Sequence, residues 1–141
     1  MISAVYVDDD PYVARIVSLL CERCGGVTVH PLFSAKEAVS WITRYPVDVI
    51  VSDYTMPGMN GIKLLTTLRA RGIKVPFIIF SGVGIDEIMQ ESTNFGVDVF
   101  GYCSKNDNIR RQIPNLVEMI AKAAACSFEN SECHQCIRDN E

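Results

Sequence analysis

No apolar run in this chain approaches the roughly 20 residues needed to cross a bilayer, and no stretch resembles a cleavable signal. A membrane role is not expected, and a cytoplasmic location is. Positive charge is also scarce. Thirteen lysines and arginines stand against 17 acids, for a formal net charge of -4 and a pI near 5.2. No basic stripe is visible, since Arg69-Ala70-Arg71 and Arg110-Arg111 are isolated groups, so direct nucleic-acid binding is not expected. Internal repeats are absent. The 141 residues, 48% of them hydrophobic, can bury a core as one domain without disulfides.

Cysteine is the exception to this scarcity, with six in the chain. A secreted framework would spread them through loops as staples, but here three of them, Cys126, Cys133 and Cys136, crowd the last sixteen residues. Reduced thiols are the expectation. Cys21 and Cys24 have the C-x-x-C spacing of redox motifs, yet they fall at a helix's carboxyl end, where the dipole disfavours thiolate. Packing is the better reading for them.

Strand-like and helix-like segments alternate along the sequence. Ile2–Val7 reads as a strand, and Pro11–Cys24 as a helix with Val13, Ile16, Val17 and Leu20 at helical spacing. Val27–Phe33 gives a second strand. Ser34 and Glu37 form a reciprocal capping box for a helix that runs to about Arg44. Val47–Ser52, Val75–Phe80 and Val97–Tyr102 are further strands, and Ile62–Arg71 and Ile85–Asn94 further helices. A last helix is placed from about Ile113, because Pro114 suits a first turn. Most strands are continuously apolar, which implies a parallel sheet covered on both faces, a doubly wound α/β architecture.

In such folds ligands bind at the carboxyl ends of the strands. Four strands end there in polar groups: Asp8-Asp9, Asp53, Ser81 and Lys105. Three carboxylates on one rim repel one another, by roughly 1 kcal/mol per pair at ~4 Å even in water. A hard cation with oxygen ligands relieves that repulsion, and Mg²⁺ suits such a site. Asp10, beside Pro11, reads more simply as the cap of the first helix. His30 lies far from the rim.

Four ordered motifs then make the chain similar to a two-component response-regulator receiver domain over residues 1–124. They are Val7-Asp8-Asp9-Asp10-Pro11, the segment from Ser52-Asp53 through Thr55, Pro57 and Gly61, Phe80-Ser81-Gly82, and Tyr102-Cys103-Ser104-Lys105. The resemblance implies a flavodoxin-like five-stranded sheet of order 2-1-3-4-5. It implies that Asp53 is the phosphoacceptor, taking its phosphoryl group from a sensor histidine kinase or histidine phosphotransfer protein. It further implies Asp8, Asp9, Asp53 and the Thr55 carbonyl as ligands of Mg²⁺, or alternatively Mn²⁺. Ser81 and Lys105 would contact the phosphoryl group. Ser81 and Tyr102 would switch the face made by the fourth helix, fifth strand and fifth helix. Such a domain labels itself and is not a conventional enzyme.

One departure is Asn106, where receivers commonly have proline after the lysine. With Phe80-Ser81-Gly82, it resembles receivers that head archaeal sensory kinase-like proteins, so a piece of a longer protein is expected ahead of a stand-alone domain. Two other classes remain open. Asp8-Asp9-Asp10 can be read as the D-x-D of a small haloacid-dehalogenase-like phosphatase with Asp8 as nucleophile, though no second acid or cap supports it. A phosphorylation-independent interaction domain is the other. Residues 125–141 are expected to be a disordered cysteine-rich linker, with a zinc site at Cys126, Cys133, His134 and Cys136 as the alternative.

Overall fold

Apolar residues at both parities of a strand can be buried only when both faces of the sheet are covered. The computed structural model, which describes residues 1–105 and 108–129, meets that condition. Its strands are β1 (Ile2–Val7), β2 (Val27–Leu32), β3 (Val49–Ser52), β4 (Phe77–Ser81) and β5 (Gly101–Ser104). The helices are α1 (Pro11–Arg23), α2 (Ala35–Arg44), α3 (Gly61–Ala70), α4 (Ile85–Phe95) and α5 (Ile109–Glu129). All pairings are parallel, in the order β2-β1-β3-β4-β5. The expected topology is therefore the observed one.

Alternate strand residues feed two separate cores. Tyr6, Val51 and Phe80 pack with Val17 of α1 and Leu116 and Ile120 of α5. Val5, Val7, Ile50 and Ile79 pack on the other face with Ala38 of α2, Leu65 of α3 and Ile88 of α4. Fully burying each such aliphatic or aromatic side chain contributes about 1.5–3 kcal/mol over leaving it exposed. All four residues of β3 are buried, so Asp53 emerges directly from the centre of the sheet.

Several boundaries differ from expectation for identifiable reasons. β5 begins four residues later than the apolar run, at Gly101. Val97 cannot enter the ladder: its N–H bonds back to the Ser92 carbonyl, and its own carbonyl accepts from the Ser92 hydroxyl. Gly96, at φ 67°, makes the left-handed turn that closes α4. Val97 and Val99 spend their apolar surface on the core beneath α4 instead.

α5 starts at Ile109, not near Ile113, because Asn108 caps it by accepting the Arg110 N–H at 2.9 Å. Pro114 therefore stands inside the helix, with no N–H to offer the carbonyl one turn back. The helix also continues past Ala124 to Glu129 and buries Cys126 in the α1/α5 core. Cys126 thus belongs to the packed helix, while Cys133, His134 and Cys136 lie outside the described residues, as does Asn106.

The expected box at α2 is half made. Ser34 Oγ accepts the Glu37 N–H at 3.0 Å, but the Glu37 carboxylate takes the N–H of Phe33 at 3.3 Å, not that of Ser34. On the same outer strand, Glu22 accepts the Val29 N–H at 2.9 Å, and Pro31 occupies the position between.

Candidate functional site

Strand period places Tyr6 and Asp8 on one side of β1, and the chain then turns into α1. Asp10 sets that turn, its carboxylate accepting the N–H groups of Tyr12 and Val13 at 3.0 and 3.3 Å. It is a helix cap, as its position beside Pro11 suggests. Freed from the turn, Asp8 and Asp9 point to the rim, Asp8 buried at 2% exposure and Asp9 exposed. Asp53 arrives from β3 half-buried.

These three carboxylates each place one oxygen within 4.8 Å of the others. Lys105, just past β5, brings its ammonium to 2.8 Å from Asp8 Oδ2 and 3.2 Å from Asp53 Oδ2. Three acids against one cation leave the rim negative, and the donors are all oxygen. That set fits a hard divalent cation. Asp53 shows the strain of its position. Burial raises its carboxyl above the usual range and Asp8 adds to the rise, while Lys105 and the Tyr54 N–H, 2.7 Å from Oδ1, oppose it.

Gly61 fixes the floor of this corner. A Cβ there would stand 2.7 Å from the Asp53 carbonyl oxygen and 3.2 Å from Tyr54 Cα. Only glycine lets α3 begin so close to the acidic strand end. Asn60 caps that helix by accepting the Lys63 N–H at 2.9 Å.

Ser81 is buried at the end of β4, and its Oγ accepts the Val83 N–H at 3.1 Å. Tyr102 is half-buried and lines, with Ser81, Val83 and Ile88, a cavity of about 300 Å³ beneath α4. Burial pushes its hydroxyl up, partly offset by a hydrogen bond with Ser92. Thr55 is exposed in the loop just beyond Asp53.

Tyr6 is a residue that sequence reasoning misses, although its spacing from Asp8 is the available signal. Its hydroxyl donates to Asp8 Oδ2 at 2.7 Å, and burial first, then the charge on Asp8, drives it well above the usual phenol range. The other candidate groups stay away from the rim. His30 stacks on Trp41 at 3.9 Å. Cys21 is buried in the α1/α5 core, where burial pushes its thiol up to about 12, the opposite of an activated cysteine. Among the described residues no helix is long and apolar enough to cross a membrane.

Comparisons with known proteins bear on the family and the fold. Residues 4–118 match the family model described as the response regulator receiver domain. The transcriptional regulatory protein MalR of Bacillus subtilis is 29% identical over 97 residues, 68% of this chain and 41% of MalR. The cell cycle response regulator CtrA of Brucella ovis is 28% identical over 92 residues, 65% of this chain and 39% of CtrA. The chain thus spans less than half the length of these curated relatives. The Francisella response regulator 1452 receiver domain superposes with a TM-score of 0.75 at 29% identity, covering 90% of this chain and 99% of that one. The chemotaxis protein CheY4 of Vibrio cholerae shares the fold, with a TM-score of 0.72 at 23% identity over 85% of this chain and 98% of its own.

Proposed function

Since this chain belongs to the response-regulator receiver family, we propose that Asp53 is its phosphoacceptor and that Asp8, Asp9, Ser81 and Lys105 serve the transfer. One observation carries the reading: a single ammonium, Lys105 Nζ, lies within 3.2 Å of two carboxylates from different strands, with a third acid beside them.

The donor is a phosphohistidine on a sensor kinase or phosphotransfer protein. An Asp53 oxygen attacks phosphorus, the new P–O bond forms as the P–N bond breaks, and the imidazole nitrogen leaves with the electron pair. Such transfers are governed by positioning and charge neutralisation. The Tyr54 N–H orients the attacking carboxylate through Oδ1. Lys105, between the acids, supplies positive charge where phosphoryl oxygens gather it. Asp8, Asp9, Asp53 and the Thr55 carbonyl would hold Mg²⁺, which when bound neutralises charge on the phosphoryl oxygens; Mn²⁺ fits the same ligands.

After transfer, the acyl phosphate offers acceptor oxygens to the Ser81 hydroxyl, which must give up its contact with Val83 to reach them. Tyr102 can then turn into the cavity that the two share, altering the α4-β5-α5 face. The output is a shift of population, not a released product. The acidic balance of the chain and its lack of a basic stripe support a signalling role without direct nucleic-acid contact for this portion.

Asp8 as the nucleophile of a phosphatase is disfavoured by its surroundings, since it is buried, Tyr6 and Lys105 fill its Oδ2 and the Asp10 N–H holds its Oδ1. Incubation with a small phosphodonor and Mg²⁺, followed by intact mass, tests the proposal. Wild type should gain one phosphoryl group and Asp53→Ala none. Equal labelling of the two would overturn the acceptor assignment, and continuous turnover of donor requiring Asp8 but not Asp53 would favour the phosphatase.

A further inference from the structure

A carboxylate oxygen offers about two acceptor sites. Both sites on Asp8 Oδ2 are filled, one by Lys105 Nζ at 2.8 Å and one by the Tyr6 hydroxyl at 2.7 Å. Oδ1 accepts the Asp10 N–H at 3.0 Å and keeps one site open. At 2% exposure Asp8 cannot exchange a lost partner for bulk water. The two partners on Oδ2 differ in kind. Tyr6 is fully buried, its ring held against Phe80 at 6.1 Å, so its hydroxyl stays where it is. The Lys105 ammonium ends a flexible chain and is already shared with Asp53.

Phosphoryl transfer asks the lysine to change allegiance. As charge builds on oxygens attached to Asp53, the ammonium must turn toward them and away from Asp8. Without a second donor, that movement would strip a buried carboxylate oxygen, a cost comparable to losing a hydrogen bond to a charged group.

We propose that Tyr6 is a positioning residue that holds Asp8 while Lys105 moves to the phosphoryl group. The inference rests on the reading of Asp53 as phosphoacceptor and adds a residue to it. The hydroxyl touches neither donor nor phosphoryl group and acts only by making the lysine releasable. A phenolic hydroxyl is a proton donor at neutral pH, as this bond requires.

Tyr6→Phe keeps the ring and its packing and removes only this bond. Labelling by a small phosphodonor with Mg²⁺ should show a maximal rate lowered about tenfold, the size of one charge-assisted hydrogen bond, with the half-saturating donor concentration unchanged. In a Lys105→Met background the same substitution should change the rate less than about twofold, because no ammonium needs releasing. A second measurement is independent of phosphorylation. In urea unfolding with chelator, Tyr6→Phe and Lys105→Met should be non-additive, the double variant losing more than the sum because both partners of one buried oxygen are gone.

A wild-type rate in Tyr6→Phe, an equal slowing in both backgrounds, or strictly additive losses in urea would each overturn the role of Tyr6 and leave the acceptor reading intact. Failure of the wild type to label on Asp53 would overturn the acceptor reading and this inference with it.

Discussion

Replacing Lys105 with methionine retains most of the side chain's length and removes its charge. The ammonium sits 2.8 Å from Asp8 and 3.2 Å from Asp53, so the substitution leaves two acids facing each other. Their oxygens lie within 4.8 Å, where an effective dielectric of about 20 gives a repulsion of roughly 3.5 kcal/mol. Two effects reduce the net loss. Asp8 keeps the Tyr6 hydroxyl and the Asp10 N–H, and Asp53 is solvated on its open side. A destabilisation of about 2–3 kcal/mol is expected in chelator at neutral pH, or roughly 7–10 °C in thermal midpoint for a chain of this size. Urea unfolding followed by far-UV circular dichroism measures it. Adding Asp53→Asn to the variant removes the repulsion and should restore most of the loss. If Lys105→Met is as stable as wild type, or if Asp53→Asn restores nothing, the lysine is not neutralising this pair and the electrostatic account of the rim is wrong.

Two further outcomes follow from the same corner. Gly61→Ala forces a methyl against the Asp53 carbonyl, so it should lower stability by about 1–3 kcal/mol and slow labelling of Asp53; unfolding and intact mass check both, and an unchanged midpoint would show that the α3 corner yields freely. Asp53→Asn should stabilise the metal-free protein at neutral pH. Burial raises the folded-state carboxyl, so the native state holds that proton more tightly than the unfolded chain, and wild-type stability falls as pH rises from the ordinary carboxylate range through the raised value. The gap between variant and wild type should therefore open across that window, persist above it, and close in acid; a gap that widens in acid reverses the sign and refutes the assignment.

The sheet and its rim were legible because each strand run ends in the polar group that the fold then exposes. Asp8, Asp53, Ser81 and Lys105 stand where continuous hydrophobicity stops, so chain position and spatial position coincide. Apolar content does not say which partner a residue takes, and that is where reading failed. Val97 and Val99 look like strand, but Val97 bonds back to Ser92 of α4 and both pack on the core beneath it. Pro114 looks like a helix start, yet the cap supplied by Asn108 prevails over it. Cys126, grouped by composition with the terminal cysteines, follows Ile120 and Ala123 on the buried stripe of α5. Tyr6 was hidden because an aromatic in a buried strand reads as core, and its ring is core; only its oxygen reaches the rim.

The outer border of β2 has a consequence for behaviour in a crowded solution. Among the backbone groups of β2 that face away from β1 are those of residues 29, 31 and, just past the strand, 33. Glu22 takes the first amide hydrogen, proline abolishes the second, and Glu37 takes the third. A stray chain seeking to extend the sheet meets carboxylates and an imino ring where it needs donors, while the opposite border is only four residues long. Both margins are thus blunted against templated growth, one by donors already engaged or missing and the other by its shortness.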